Sequence, residues 1–224
     1  MNILIITLLA VAAYLIGSFS SALWYGKWFY GIDIREHGSK NAGSTNVLRV
    51  LGWKCAIPVF ITDVIKSFVP TMFFVMLLNR FATTDCGIFV EQGSEAYYLY
   101  QLLFGMMAIV GHIFPIFSGF KGGKGVASML GLVLALDPLS AAIALGVFII
   151  VVLITRIVSV SSMSAAVAFP IVVYVLGFFR EAGHSITMTV FSILVAVLLI
   201  VTHRKNIKRL LNHEEPKITI AKKE

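Results

Sequence analysis

The chain has 224 residues, 58% of them hydrophobic and only 13% charged, with a mean hydropathy of +0.92, which excludes an ordinary soluble globular domain. A net charge of +7 would suit a nucleic-acid binder, but the lysines and arginines collect in short segments between apolar runs and in the C-terminal tail. That distribution is the one that sets membrane topology, so no nucleic-acid partner is expected.

Apolar runs recur along the whole length without a Pro/Ser-rich linker or low-complexity segment, so one integral domain over 1–224 is expected. Crossing a hydrocarbon core ~30 Å thick takes roughly 20 apolar residues in a helix. The first run, 1–28, has no basic segment before it and outlasts the short core of a cleaved signal, so it reads as a retained span. Spans over 55–78 and 97–117 follow. The next apolar stretch is split by Asp137-Pro138 into 126–136 and 138–155, because proline breaks the helical ladder and aspartate is costly in lipid. Spans over 158–179 and 186–202 complete the set, ahead of a basic tail, 204–224.

Charge parity fixes the expected orientation. Arg35 to Lys54, the Lys121/Lys124 loop and the tail are basic, whereas the loop from Arg80 to Glu95 sets one arginine against Asp85, Glu91 and Glu95. Lysine and arginine near span ends mark the cytoplasmic side. An even number of crossings must then separate the Lys121 loop from the tail, which 126–136 and 138–155 supply as a pair. The expected fold is all-α and polytopic, with seven transmembrane helices, the N-terminus outside and the C-terminus in the cytoplasm. Of eighteen basic side chains, only Arg80 and Arg180 then face outward. Cys55 and Cys86 fall on opposite sides, so no disulfide between them is expected.

Three cytoplasmic segments carry the chemistry. The first reads GIDIREHGSKNAGSTNVLRVLG. Small residues let backbone N–H groups approach an anion, hydroxyls and amides add donors, and Arg49 follows in a short helix expected to start near Thr45. A polar interhelical turn is the alternative. The second, GHIFPIFSGFKGGKGVAS, places Gly122, Gly123, Lys124 and Gly125 before a helix beginning near Val126. Unpaired N–H groups and a lysine at a helix start suit a phosphate, although the GxxxxGK[ST] spacing of a nucleotide-binding loop is absent. The third, HRKNIKRLLNHEEPK, sets His203, Asn206 and Arg209 on one face of a helical turn. It also serves as an anchor at anionic headgroups.

Smaller features accompany these. Asp63 and Lys66 read as an intramembrane ion pair, His112 as a packed histidine, and Ser159, Ser161 and Ser162 as hydroxyl donors or helix caps. There is no HExxH, no Cys/His set with zinc spacing and no GxSxG elbow, so no metal, no cofactor and no serine hydrolase are expected. No histidine has an aspartate five positions later, which removes the HxxxxD pattern of acyl-CoA-dependent glycerolipid acyltransferases.

Taken in order, GSKNAGSTNVLR, GHIFPIF with FKGGKGVA, RIVSVSS and HRKNIKRLL resemble the bacterial acyl-phosphate:glycerol-3-phosphate acyltransferases, the PlsY family, over nearly the whole chain. Lys40 departs from the family's glycine in the first motif, Ser20 from its usual proline, and His213-Glu214-Glu215 from its closing sequence, with Glu215 the counterpart of the family's structural glutamate. The resemblance implies transfer of an acyl chain from acyl phosphate to the sn-1 hydroxyl of glycerol 3-phosphate, releasing lysophosphatidic acid and phosphate, as a first step of phospholipid synthesis. It implies catalytic roles for Ser39, Arg49, Lys124, His203 and Asn206. Substrate binding falls to Asn41, Thr45, Asn46, Gly122, Gly123, Gly125, Ser162 and Arg204. The implied setting is the bacterial inner membrane, with the active site facing the cytoplasm, acyl phosphate and glycerol 3-phosphate as substrates, membrane lipid around the chain, and a monomer. The base is either His203 or the donor's own phosphate, and substrate assistance is the favoured expectation. Two rival readings are a transporter of a phosphorylated solute or lipid, which would need anion groups reachable from both faces, and a polyprenyl-phosphate enzyme. The latter would need metal ligands, for which Asp33 and Glu36 are too few.

Overall fold

The computed structural model describes residues 2–81, 90–180 and 183–217; Cys86, Asp85 and the last part of the basic tail lie outside the described residues. All regular structure among the described residues is helical. In chain order the helices are α1 (Asn2–Gly17), α2 (Ser21–Tyr30), α3 (Ser44–Leu51), α4 (Trp53–Phe81), α5 (Glu95–Ile113), α6 (Val126–Leu136), α7 (Pro138–Thr155), α8 (Val158–Gly177), α9 (Ile186–Thr202) and α10 (Arg204–Leu211). Single 3-10 turns lie at Ile34–Glu36 and Ile116–Ser118.

Four helical segments are individually long and apolar enough to cross a membrane, or up to six if each of two bent pairs counts as one span. The bent pairs are α1 with α2, at 41°, and α9 with α10, at 58°. The run expected as one helix over 1–28 is therefore two. Their junction is Ser18-Phe19-Ser20, where both the backbone N–H and the hydroxyl of Ser18 donate to the Tyr14 carbonyl at 2.8 Å. The helix expected over 97–117 also stops early, at Ile113. Phe114 precedes a proline, and the clash with the proline ring disfavours helical geometry there. Helix α6 has 11 residues, so at 1.5 Å per residue it is only about 16 Å long.

The chain divides into two compact units, Met1–Pro138 and Leu139–Glu224. In the first, α4 packs against α1, α3, α5 and α6, and α1 packs against α5. The approaches are close because small residues line them. A Cβ on Gly17 would clash with the Ala108 backbone, one on Gly111 with the Tyr14 carbonyl, and one on Gly131 with the Val64 carbonyl. One core cluster joins Ala13, Phe74, Val75, Val90, Tyr97 and Phe104. Another joins Ala22, Ile34, Val47, Cys55, Ala56 and Val59, and so seats the first polar loop on α2, α3 and α4.

In the second unit α8 packs on α9, and α9 turns at His203 into the basic α10. Polarity is inverted relative to a soluble protein. Leu153 and Ile154 are 73% and 77% exposed on α7, while Asp63, Lys66, Gln101 and His112 are buried inside the first unit. Lipid is the solvent that makes this distribution favourable, since exposed leucine costs nothing there and exposed charge costs much.

Candidate active site

The first loop is shaped by Asn46, which is 1% exposed. Its amide nitrogen donates to the Ile34 and His37 carbonyls, both at 3.0 Å, and its oxygen accepts the Ser39 N–H at 2.8 Å. Both donor hydrogens are thus spent on the loop, so Asn46 acts by fixing the backbone around Ser39. Gly38 lies against the Asn46 oxygen with φ +58, leaving no room for a side chain. Lys40 also holds φ +58, a left-handed conformation that costs a non-glycine residue about 1–2 kcal/mol and is the physical reason glycine suits this position. Ser39 is exposed, Asn41, Thr45 and Arg49 are half-buried, and α3 begins at Ser44 after Gly43, with Arg49 in its last turn.

The second loop follows α5. Gly122 N–H donates to the Ile113 carbonyl and Gly123 N–H to the His112 carbonyl, each at 3.2 Å, folding the loop back over the end of α5. Gly123 is enclosed: a Cβ there would clash with His112 Nε2 and approach the Ala42 carbonyl to 2.8 Å. Gly125, at φ +83, precedes α6 in the left-handed conformation that favours glycine, and Lys124 is half-buried beside it.

The two loops meet within the first unit. Asp33 and Arg35 form a bidentate pair, with Arg35 Nε donating to Asp33 Oδ1 at 3.0 Å and Nη2 to Oδ2 at 2.7 Å; the remaining guanidinium nitrogen donates to the Ser118 carbonyl at 2.9 Å. The Arg35 hydrogen bond holds the Asp33 carboxyl below the usual carboxylate range, outweighing its partial burial. A cleft of about 770 Å³ opens where the loops join, carrying Lys27, Arg35, Lys40 and Lys121 against Asp33 and Glu36. Since Asp33 is committed to Arg35, the excess charge is positive, and the cleft is suited to an anion.

The second unit carries the third segment. His203 is 3% exposed and ends α9, with Nδ1 2.8 Å from the Leu199 carbonyl. A carbonyl oxygen only accepts, so Nδ1 bears a proton in this contact. Glu215 accepts from Ser159 Oγ at 2.7 Å, Asn206 Nδ2 at 2.6 Å and Arg209 Nε at 2.7 Å. Burial raises the Glu215 carboxyl, but these donors together outweigh it and hold the group below its ordinary value. The serines at the start of α8 do not cap it, because the cap position is Ile157. Ser161 and Ser162 donate back to the Ile157 and Val158 carbonyls at 2.9 Å, and Ser159 serves Glu215. Arg204 is exposed at the start of α10.

Sequence reasoning missed Arg35 as a bridge, because its partner Ser118 is far away in the chain, and His112 as a neighbour of the glycine loop, because only the folded loop turns back over the end of α5. Among the described residues no group of three or more His, Cys, Asp or Glu side chains is placed to hold a metal ion.

A family model described as glycerol-3-phosphate acyltransferase matches residues 7–213. The glycerol-3-phosphate acyltransferase of Pelodictyon phaeoclathratiforme is 38% identical, over 97% of this chain and 99% of that protein. That of Salinibacter ruber is 40% identical, over 96% of this chain and 93% of its relative. Among solved structures, PlsY (YgiH), an integral membrane glycerol 3-phosphate acyltransferase, matches in its glycerol 3-phosphate form with a TM-score of 0.79 and 34% identity, covering 96% of each chain. Its lysophosphatidic acid form matches with a TM-score of 0.76 and 33% identity, covering 96% of this chain and 95% of that one.

Proposed function

The chain belongs to the glycerol-3-phosphate acyltransferase family, and from that premise we propose that it moves an acyl chain from acyl phosphate to the sn-1 hydroxyl of glycerol 3-phosphate. The products are lysophosphatidic acid and inorganic phosphate. The single observation that supports this reading is the meeting of the first two polar loops at one cationic cleft in a chain of apolar helices; Gly122 lines that cleft, with Lys40 and Lys121 beside it.

Acyl phosphate is a mixed anhydride and is already activated, so no acyl-enzyme is needed to make its carbonyl reactive. The glycerol 3-phosphate oxygen forms the new ester bond, the bond between the carbonyl carbon and the phosphate oxygen breaks, and phosphate leaves with the electron pair. The hydroxyl proton passes to the donor's phosphate, with His203 as the alternative acceptor through Nε2. The protein supplies position and charge: Arg49 and Lys124, with the Gly125 N–H beside them, oppose the developing oxyanion and the phosphates, while Gly122 and Gly123, whose N–H groups are spent on the Ile113 and His112 carbonyls, shape the loop that carries Lys124. Ser39, Asn41 and Thr45 orient the acceptor, and Asn46 holds the loop that presents them. Ser162, Arg204 and Asn206 are also proposed as site residues, Asn206 through its bond to Glu215.

The protein is proposed to sit as a monomer in the bacterial inner membrane, with seven crossings, an external N-terminus, a cytoplasmic C-terminus and the cleft on the cytoplasmic side. Charge distribution supports this orientation, since Lys27, Lys40, Lys121 and the α10 cations would share one side.

The test is phosphate release from purified protein in a lipidic mesophase given acyl phosphate, with and without glycerol 3-phosphate, beside the Lys124→Ala variant. Release is expected to require glycerol 3-phosphate and yield lysophosphatidic acid, and the variant to lose about 100-fold in kcat/KM, as for removal of one oxyanion donor. Folded protein that releases no phosphate with acyl phosphate and does not use other acyl donors would overturn the reading.

A further inference from the structure

Four side chains from three helices, α2, α4 and α5, converge inside the first unit. Asp63 Oδ1 on α4 accepts from Ser21 Oγ of α2 at 2.7 Å, lies 2.6 Å from Lys66 Nζ, and is 3.4 Å from His112 Nδ1 of α5. Lys66 Nζ also donates to the Phe19 carbonyl, at 3.0 Å, in the break between α1 and α2. The Asp63, Lys66 and His112 side chains are 2%, 4% and 5% exposed. Burying a charged pair in an apolar span is expensive, and a purely apolar contact would hold these helices together at less cost.

The far edge of the His112 ring supplies a use for that expense. Gly123 is packed so tightly on Nε2 that a Cβ would clash there, and that same Cβ would come within 2.8 Å of the Ala42 carbonyl of the first loop. The imidazole therefore lies under the point where both loops meet. Its Nδ1 side is tied to Asp63, which is tied in turn to α2 and α4. We propose that Asp63, Lys66 and His112 form a positioning device for the anion-binding loop: Asp63 orients the imidazole, and the imidazole sets the position of Gly122 to Lys124 against the first loop. The residues act through the loop and do not touch substrate. This inference rests on the reading that the loop binds a substrate phosphate.

His112→Asn is the decisive variant, because its amide retains a donor toward Asp63 while removing the ring from beneath Gly123. Removing Asp63 alone would strand a buried ammonium, so its test is Asp63→Asn combined with Lys66→Met. Two readouts are needed: steady-state kinetics, and hydrogen exchange of the segment holding Gly122 and Gly123 without substrate. With the loop misplaced, KM for at least one phosphate substrate is expected to rise about tenfold while kcat falls by less than about threefold. Exchange at Gly122 and Gly123 is expected to quicken about tenfold, with thermal stability little changed. The combined variant should shift both readouts in the same direction, and adding it to His112→Asn should give less than the product of the separate effects. Unchanged KM and unchanged exchange in His112→Asn would overturn the proposal, as would a loss of thermal stability with no change in either. If His112→Asn does not fold, the combined variant decides by the same readouts. If the wild-type protein shows no turnover, the acyltransferase reading fails separately and exchange at the loop decides the positioning role.

Discussion

Glu215 accepts three hydrogen bonds on two carboxylate oxygens, from Ser159, Asn206 and Arg209. These bonds pull the chain end onto α8 and α10, and they depend on the carboxylate remaining ionised. Because its pKa in the folded protein is depressed below the ordinary 4.5, the stabilisation is complete above that value and is lost as pH falls through the lower folded value. Thermal stability in detergent should therefore begin to fall as pH drops below about 4.5 in the wild type, while Glu215→Gln starts lower by about 1–3 kcal/mol and shows a flatter acid limb. An identical acid limb in both proteins would exclude this role. Asn46 makes a related point by different chemistry: a neutral amide with every donor hydrogen committed shapes the loop around Ser39. The resemblance implied a structural role for Glu215, but not its partners, whereas the role of Asn46 is not visible in the motif, since an asparagine in a polar loop reads equally well as a substrate contact.

At the scale of elements, helix pairs in lipid gain little from apolar burial, so they depend on close backbone approach. Gly111 lets α5 lie against the Tyr14 carbonyl of α1, and Tyr14 returns a hydrogen bond from its hydroxyl to the Phe114 carbonyl at 2.9 Å. Gly111→Leu should push the two helices apart and cost about 1–3 kcal/mol, the usual range for overpacking. A thermal midpoint equal to wild type would show that the pair tolerates the extra volume. Glycine positions were readable, but their partners were not. Likewise, Asp63 and Lys66 could be paired from their spacing, whereas His112 joins them only because α4 and α5 pack together. The bend between α1 and α2 was also missed, because Ser18-Phe19-Ser20 interrupts neither apolarity nor helical pattern strongly enough to announce a break.

For the whole molecule, the asymmetry of lysine and arginine gives a direct prediction of sidedness. A reporter active only in the cytoplasm should work when fused after Leu211 or inserted near Lys40, and should be silent near Gly93. Activity near Gly93 would invert or break the seven-span reading. The all-helical, membrane-spanning character was legible from the chain alone. Apolar run length, glycine content and basic clustering are local properties, and a bilayer imposes one strong rule on all of them. The partners of Arg35, His112, Asn206 and Glu215 required the tertiary structure. Arg35 with Ser118, His112 with Asp63 and Glu215 with Ser159 join segments distant in sequence, and their geometry follows from how the helices pack, which hydrophobicity alone leaves undetermined.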